Sequence, residues 1–193
     1  GVSRATVSRL LKSARESGMV QIRLDDSFRT RSELERRIGE RYKVRVTLVN
    51  VRADATPIAR MSRVSRTAAS LLDSLIDDGT RLGVAWGSTM TEVSRHLPRR
   101  PLTGVKVVQL NGAGNAHHSG IPYLGSLLGQ LANAYEAQTV HFPVPAFFDY
   151  ADTKQALWRE RSVQSVLNTI DSADVALFGV GSMSARLPSH VYS

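Results

Sequence analysis

From residue 45 onward, short apolar runs alternate with longer amphipathic stretches, and this alternation restricts the fold more than any other feature. The runs cover residues 46–51, 82–86, 105–110, 139–142 and 175–180. Between them, apolar residues recur at helical spacing over about 57–78, 89–97, 121–136 and 153–171, the last broken near Arg161. Strand-length runs separated by amphipathic helices predict βαβ units, and so a Rossmann-like α/β domain in which helices cover a parallel sheet.

Function in such a domain depends on the loop behind each strand. Gly87-Ser88-Thr89 comes after the second run, Asn111-Gly112-Ala113-Gly114-Asn115 after the third, and Gly179-Val180-Gly181-Ser182 after the last. Ligands of open α/β sheets bind beyond the carboxyl ends of the strands, where glycines let backbone N–H groups approach an anion and helix N-termini favour negative charge. Thr89 and Glu92 have capping-box spacing, so Gly87, Ser88 and Thr89 are expected to form a phosphate cradle at a helix start. Glycines also serve tight strand-to-helix turns without any ligand. No loop is a Walker loop, and His117 stands where a dinucleotide fingerprint would have its third glycine. Pro143-Val144-Pro145 is a stiff turn beside Phe147, Phe148 and Asp149. Asp149 is a candidate acceptor of sugar hydroxyls, or else a solvated loop carboxylate. Trp86 is expected in the core, and His117-His118 has no obvious third metal ligand, so no metal site is expected.

The charge is uneven. Residues 1–66 hold 16 Lys+Arg against 7 Asp+Glu, whereas residues 67–193 hold 9 against 10. A basic segment beside a nearly neutral one suggests a polyanion-binding module joined to a domain with another task. Within it, Ser3 is placed to cap a helix, Val2 and Val7 sit at hydrophobic-staple positions, and Gly18 is placed to end it. Val7, Leu10, Leu11 and Ala14 share one face. Ser3, Arg4, Ala5, Thr6, Ser8, Arg9 and Lys12 supply the short polar and guanidinium groups that reach base edges and phosphates, as a recognition helix would. The alternation of Val20, Ile22 and Leu24 fits the wing of a winged helix-turn-helix. A basic surface helix with an edge strand has the same pattern. Residues 30–43 read as a connecting helix, with Thr30 and Glu33 in capping-box spacing and Leu34, Ile38 and Tyr42 on one face. Its arginines are expected to be solvated. The expected domains are thus residues 1–27, the end of a helix-turn-helix; 28–44, a linker helix; and 45–193, an effector-binding domain.

The chain has no cysteine and no apolar run long enough to span a bilayer or act as a secretory signal, which points to the cytoplasm. It starts at Gly1 without methionine and stops soon after an apolar strand, so it is expected to be a piece of a longer protein.

Together these motifs resemble the SorC/DeoR-type family of sugar-binding transcriptional regulators. The likeness rests on Val2-Ser3-Arg4-Ala5-Thr6-Val7-Ser8-Arg9-Leu10-Leu11, Gly83-Val84-Ala85-Trp86-Gly87-Ser88-Thr89, Val108-Gln109-Leu110-Asn111-Gly112, Pro143-Val144-Pro145-Ala146 and the stretch from Ala173 to Ser182. The resemblance implies an effector domain related to sugar-phosphate isomerases, assembly into a homo-oligomer (dimer or tetramer), and control of double-stranded operator binding by a phosphorylated sugar. It implies neither a cofactor nor a membrane partner. Carried over by position, Gly87, Ser88 and Thr89 would hold the phosphate, with Asn111 and Gly112 bordering the sugar. Gly114, Asp149, Gly179 and Gly181 complete the expected pocket. Ala113 stands where the family often has glycine and Ala85 where it often has serine; either changes the chemistry offered to a ligand. The rival reading is a sugar-phosphate isomerase or deaminase with a basic extension, for which Asp149 and His117 are the only loosely placed acid/base candidates. An RNA-binding module is weakened by the few aromatics of the basic segment, Phe28 and Tyr42.

Overall fold

The computed structural model describes residues 3–16, 26–112 and 121–181, in two compact units, Gly1–Asn50 and Val51–Ser193. The first unit holds α1 (Arg4–Glu16) and α2 (Asp26–Tyr42). Ser3 starts α1 as its spacing predicts: its hydroxyl accepts from the Thr6 N–H at 3.2 Å. Val7 and Leu10 of α1 are exposed. α2 begins at Asp26, four residues before Thr30, so Thr30 lies inside the helix and does not start it. Val2, Gly18 and the proposed wing at residues 20–24 lie outside the described residues.

The second unit opens with α3 (Pro57–Asp73). Thr56 caps it by accepting from the Ala59 N–H at 3.2 Å, and Pro57 sits where its missing N–H costs nothing. Next come β1 (Arg81–Val84), α4 (Ser88–Arg95), β2 (Lys106–Gln109), α5 (Ile121–Tyr135), β3 (Gln138–Val140), α6 (Ala151–Arg159), α7 (Arg161–Asp171) and β4 (Val175–Leu177). All four strands are parallel, in the order β3-β2-β1-β4. Four of the five apolar runs thus become strands. The run at 46–51 does not: the Leu48 N–H is taken by the Glu35 carboxylate of α2 at 2.7 Å instead of by a strand ladder. The predicted helix 57–78 ends at Asp73.

Alternation along the strands sorts side chains between two layers. Leu82, Val84 and Val107 point into a core shared with Leu72 of α3, Met90 and Val93 of α4, and Leu127, Leu128 and Leu131 of α5. Val108 faces the other way, with Phe142, Val144, and Val163 and Val166 of α7. Each fully buried aliphatic side chain contributes about 1.5–3 kcal/mol relative to exposure. The chain runs from β1 through β2 to β3 on one side, then returns through α6 and α7 to lay β4 on the other side of β1. The reversal of winding makes the gap between β1 and β4 a topological switch point.

At the opposite, amino-terminal edge, Arg100 closes the end of α3. Its guanidinium donates to the carbonyls of Asp73, at 2.8 Å, and Ile76, and lies 3.2 Å from the Asp73 carboxylate. Tyr135 is fully buried beside this pair, with Arg100 over its ring. Burial, reinforced by the Asp73 carboxylate, pushes the Tyr135 phenol well above the ordinary tyrosine range. The folded state therefore keeps this proton to higher pH than the unfolded chain, where tyrosine ionises near 10. Its contribution is complete below about pH 10 and is lost as pH rises above that value. Urea titrations of the parent and of Tyr135→Phe, at about pH 9 and about pH 11, are expected to show a smaller alkaline loss in the variant. Equal losses would mean that Tyr135 does not govern the alkaline limb.

Candidate functional site at the carboxyl edge of the sheet

The glycine-bearing turns meet at the carboxyl edge. Beyond β1, the Ala85 N–H donates to the Leu177 carbonyl at 2.9 Å, which carries the β1–β4 pairing one step further. Gly87 is then the N-cap of α4, with extended backbone and no side-chain cap. This corrects the expected Thr89–Glu92 capping box: Thr89 is the second residue of the helix, and Glu92 reaches forward to Arg95 at 3.1 Å and His96 at 3.3 Å. A first turn with no capping side chain leaves its backbone N–H groups to an incoming anion. Ser88 and Thr89 are half-buried there. The loop beyond β4 crosses the same turn, since a Cβ on Gly179 would lie 3.6 Å from the Met90 Cε. Gly179 thus lies against the side chain of Met90, the third residue of α4, at the switch point, while Gly181, exposed, continues that loop.

Asn111 and Gly112 occupy the neighbouring turn beyond β2. The Asn111 side-chain carbonyl accepts from the Trp86 N–H at 3.3 Å, and the Trp86 indole N–H donates to the Gly112 carbonyl at 2.7 Å. Trp86 is buried, as expected of a core residue, but its nitrogen also ties two loops together. Gly112 admits no side chain, because a Cβ would fall 2.1 Å from the Pro145 carbonyl oxygen. The Pro143-Val144-Pro145 turn therefore lies directly against it. Phe148 packs edge-on against Trp158 of α6 at 5.8 Å, which anchors the rest of that loop. Asp149 is exposed beyond β3, the edge strand two places from β1. Gly114 and His117-His118 lie outside the described residues.

Gln109, the last residue of β2, belongs to this edge although the pattern of apolar runs absorbs it into a strand. It is fully buried; its carbonyl accepts from the Phe142 N–H at 2.9 Å and its amide donates to the Asn111 carbonyl at 2.5 Å. A lone amide among the valines and leucine of residues 105–110 was the available signal.

On α1, Ser8 and Arg9 are exposed, while Thr6 shares a 2.9 Å hydrogen bond with Ser3. The backbone of Arg4, Ala5 and Lys12 is helical. Among the described residues, no helix is long and apolar enough to cross a membrane.

Residues 26–193 match the family described as "Putative sugar-binding domain". The chain is similar to a deoxyribonucleoside regulator of Bacillus subtilis, 32% identical over 182 residues that make up 94% of this chain and 58% of the relative. It is also similar to a sorbitol operon regulator of Klebsiella pneumoniae, 24% identical, with 96% and 59% covered. Among solved structures, a domain of a possible sugar-binding transcriptional regulator from Arthrobacter aurescens TC1 superposes with a TM-score of 0.73 at 42% identity, over 76% of this chain and 57% of that one. The full-length Klebsiella sorbitol operon regulator superposes with a TM-score of 0.70 at 25% identity, over 96% and 61%. The chain thus spans less than two thirds of the length of the relatives named here, each of which is described as a regulator.

Proposed function

This chain belongs to the sugar-binding domain family, whose relatives here are SorC/DeoR-type transcriptional regulators, and on that premise we propose that it is part of a regulator whose operator binding responds to a phosphorylated sugar. The observation that carries the reading is the uncapped first turn of α4, meeting the Gly179 loop at the β1/β4 switch point. Backbone N–H groups and the helix dipole there favour a dianionic phosphate. In this reading Gly87, Ser88 and Thr89 hold the phosphate, Asn111, Gly112 and Gly114 border the sugar, and Gly179 and Gly181 close over it. Asp149 has a weaker claim, as an exposed residue on the far edge strand.

Residues 1–27 are the end of a winged helix-turn-helix, 28–44 a linker and 45–193 the effector domain. Ser3, Arg4, Ala5, Thr6, Ser8, Arg9 and Lys12 then face double-stranded operator DNA. The protein acts in the cytoplasm as an even-numbered homo-oligomer, dimer or tetramer, on a pseudopalindromic site. An effector alters DNA affinity only by favouring one arrangement of the DNA-binding modules over another.

The test is a mobility shift of the intact protein on its own upstream DNA, with a panel of phosphorylated and free sugars. Specific binding is expected, altered by one phosphorylated sugar and not by its free counterpart. Arg9→Ala is expected to weaken binding by about tenfold or more, the scale of one lost guanidinium contact to a base or phosphate. Equal affinity for random DNA at physiological salt would refute the DNA-reading claim, and turnover of a sugar phosphate would favour the isomerase alternative.

A further inference from the structure

We infer that Trp86 and Gln109 are positioning residues for the phosphate turn, joined through Asn111 into one strap across three loops; the inference rests on the phosphate site proposed above. Trp86 immediately precedes Gly87 and is held at two points, its backbone N–H by the Asn111 side chain and its indole N–H by the Gly112 carbonyl. Asn111 is held in turn, its own carbonyl accepting from the Gln109 amide. Gln109 is fixed by the sheet it ends and by the Phe142 N–H at the start of the next loop. The sequence Phe142, Gln109, Asn111, Trp86, Gly87 therefore runs without a break from the β3 loop to the α4 cap.

The links from Phe142 to Gln109 and from Trp86 to Asn111 and Gly112 join different loops, and the Gln109–Asn111 bond connects them within the turn beyond β2. Trp86 and Gln109 are themselves buried, 7% and 0% exposed, so water does not readily replace their lost partners. Neither residue is needed to touch the ligand. Their effect is to keep the N–H groups that follow Gly87 aimed before an anion arrives, which removes an ordering cost from binding. Asn111, expected at the sugar, has its side-chain carbonyl committed to this strap.

Two variants of the intact protein isolate the idea. Trp86→Phe removes the indole donor and keeps an aromatic ring; Gln109→Glu keeps the acceptor for Phe142 and, assayed at a pH where its carboxyl is ionised, removes the donor to Asn111. Leu72→Ala, in the core contributed by α3, serves as a control that lowers stability away from the loops. Inorganic phosphate binding is measured by calorimetry and stability by thermal unfolding. Each strap variant is expected to weaken phosphate affinity by about tenfold, and the pair by less than the product of the two, because both act on the same peptide. The control is expected to lose melting temperature with its affinity unchanged. Strap variants that melt lower yet bind phosphate like the parent would reduce Trp86 and Gln109 to structural residues and overturn the inference alone. A parent protein that binds no phosphate would overturn the site proposal, and the inference with it. Should Gln109→Glu fail to fold, Trp86→Phe decides the matter by itself.

Discussion

Gly87→Asp is expected to abolish the response to a phosphorylated effector while leaving the fold as stable as before, or slightly more so. The new side chain has room: nothing lies within 4 Å of a Cβ at Gly87, and its backbone is extended. Aspartate is a preferred N-cap, and here it would supply the side-chain acceptor that α4 lacks, with a gain of a few tenths of a kcal/mol over glycine. The same carboxylate would occupy the first-turn N–H groups that the phosphate needs, and would repel the dianion. Like charges brought together at a binding site cost several kcal/mol, so an affinity loss of at least about 100-fold is expected. Calorimetric titration with the effector, thermal unfolding and operator shift without effector would be compared with the parent. Retained effector affinity would place the phosphate away from α4. Lost stability would mean that the turn tolerates less than its open surroundings indicate.

The second large effect is on stability. In Gly112→Ala the added methyl would meet the Pro145 carbonyl oxygen at 2.1 Å, its carbon at 2.4 Å and the Val144 carbonyl oxygen at 2.5 Å. All three are backbone atoms, so no rotamer change relieves the overlap. Nor does the turn have freedom to retreat, because Val144 is buried in the cluster formed by Val108, Phe142, Val163 and Val166. Overpacking of this kind is expected to cost about 2–3 kcal/mol. The Trp86 indole bond to Gly112 would be strained at the same time. Gly129→Ala on α5 provides the contrast: nothing lies within 4 Å of its Cβ, and replacing a helical glycine is expected to stabilise by up to about 1 kcal/mol. Urea midpoints falling for the first variant and holding or rising for the second would agree with both expectations. A Gly112→Ala protein as stable as the parent would show that the turn beyond β3 can move away from Gly112.

Much of this architecture was legible because its signals are local. Period-two and period-3.6 patterns located four strands and the helices between them, and the glycine turns behind three strands were readable as candidate ligand loops. The errors have two causes: competition for a backbone group from a residue outside the window being read, and helices that start before the residue expected to cap them. Residues 46–51 have the composition of a strand, but Glu35, thirteen residues before Leu48, takes the Leu48 N–H. The Thr30–Glu33 and Thr89–Glu92 pairs have the spacing of capping boxes, yet α2 and α4 begin before those threonines. Capping-box spacing shows that a helix could start at a given place; it does not show that an earlier residue has not already started it.

By itself the sequence determined the α/β class, the positions of most elements, the basic bias of residues 1–66 and the turns offered to a ligand. Each of these depends on side chains within a few residues of one another. The tertiary structure decided the strand order β3-β2-β1-β4, and with it which turns meet. It also decided that Gln109 and Trp86 lie beneath those turns, through bonds spanning 33, 25 and 26 residues. Contacts of that separation form only when the sheet assembles and removes those polar groups from water. A polar residue in an apolar run announces that it needs a partner, but only the completed sheet supplies one.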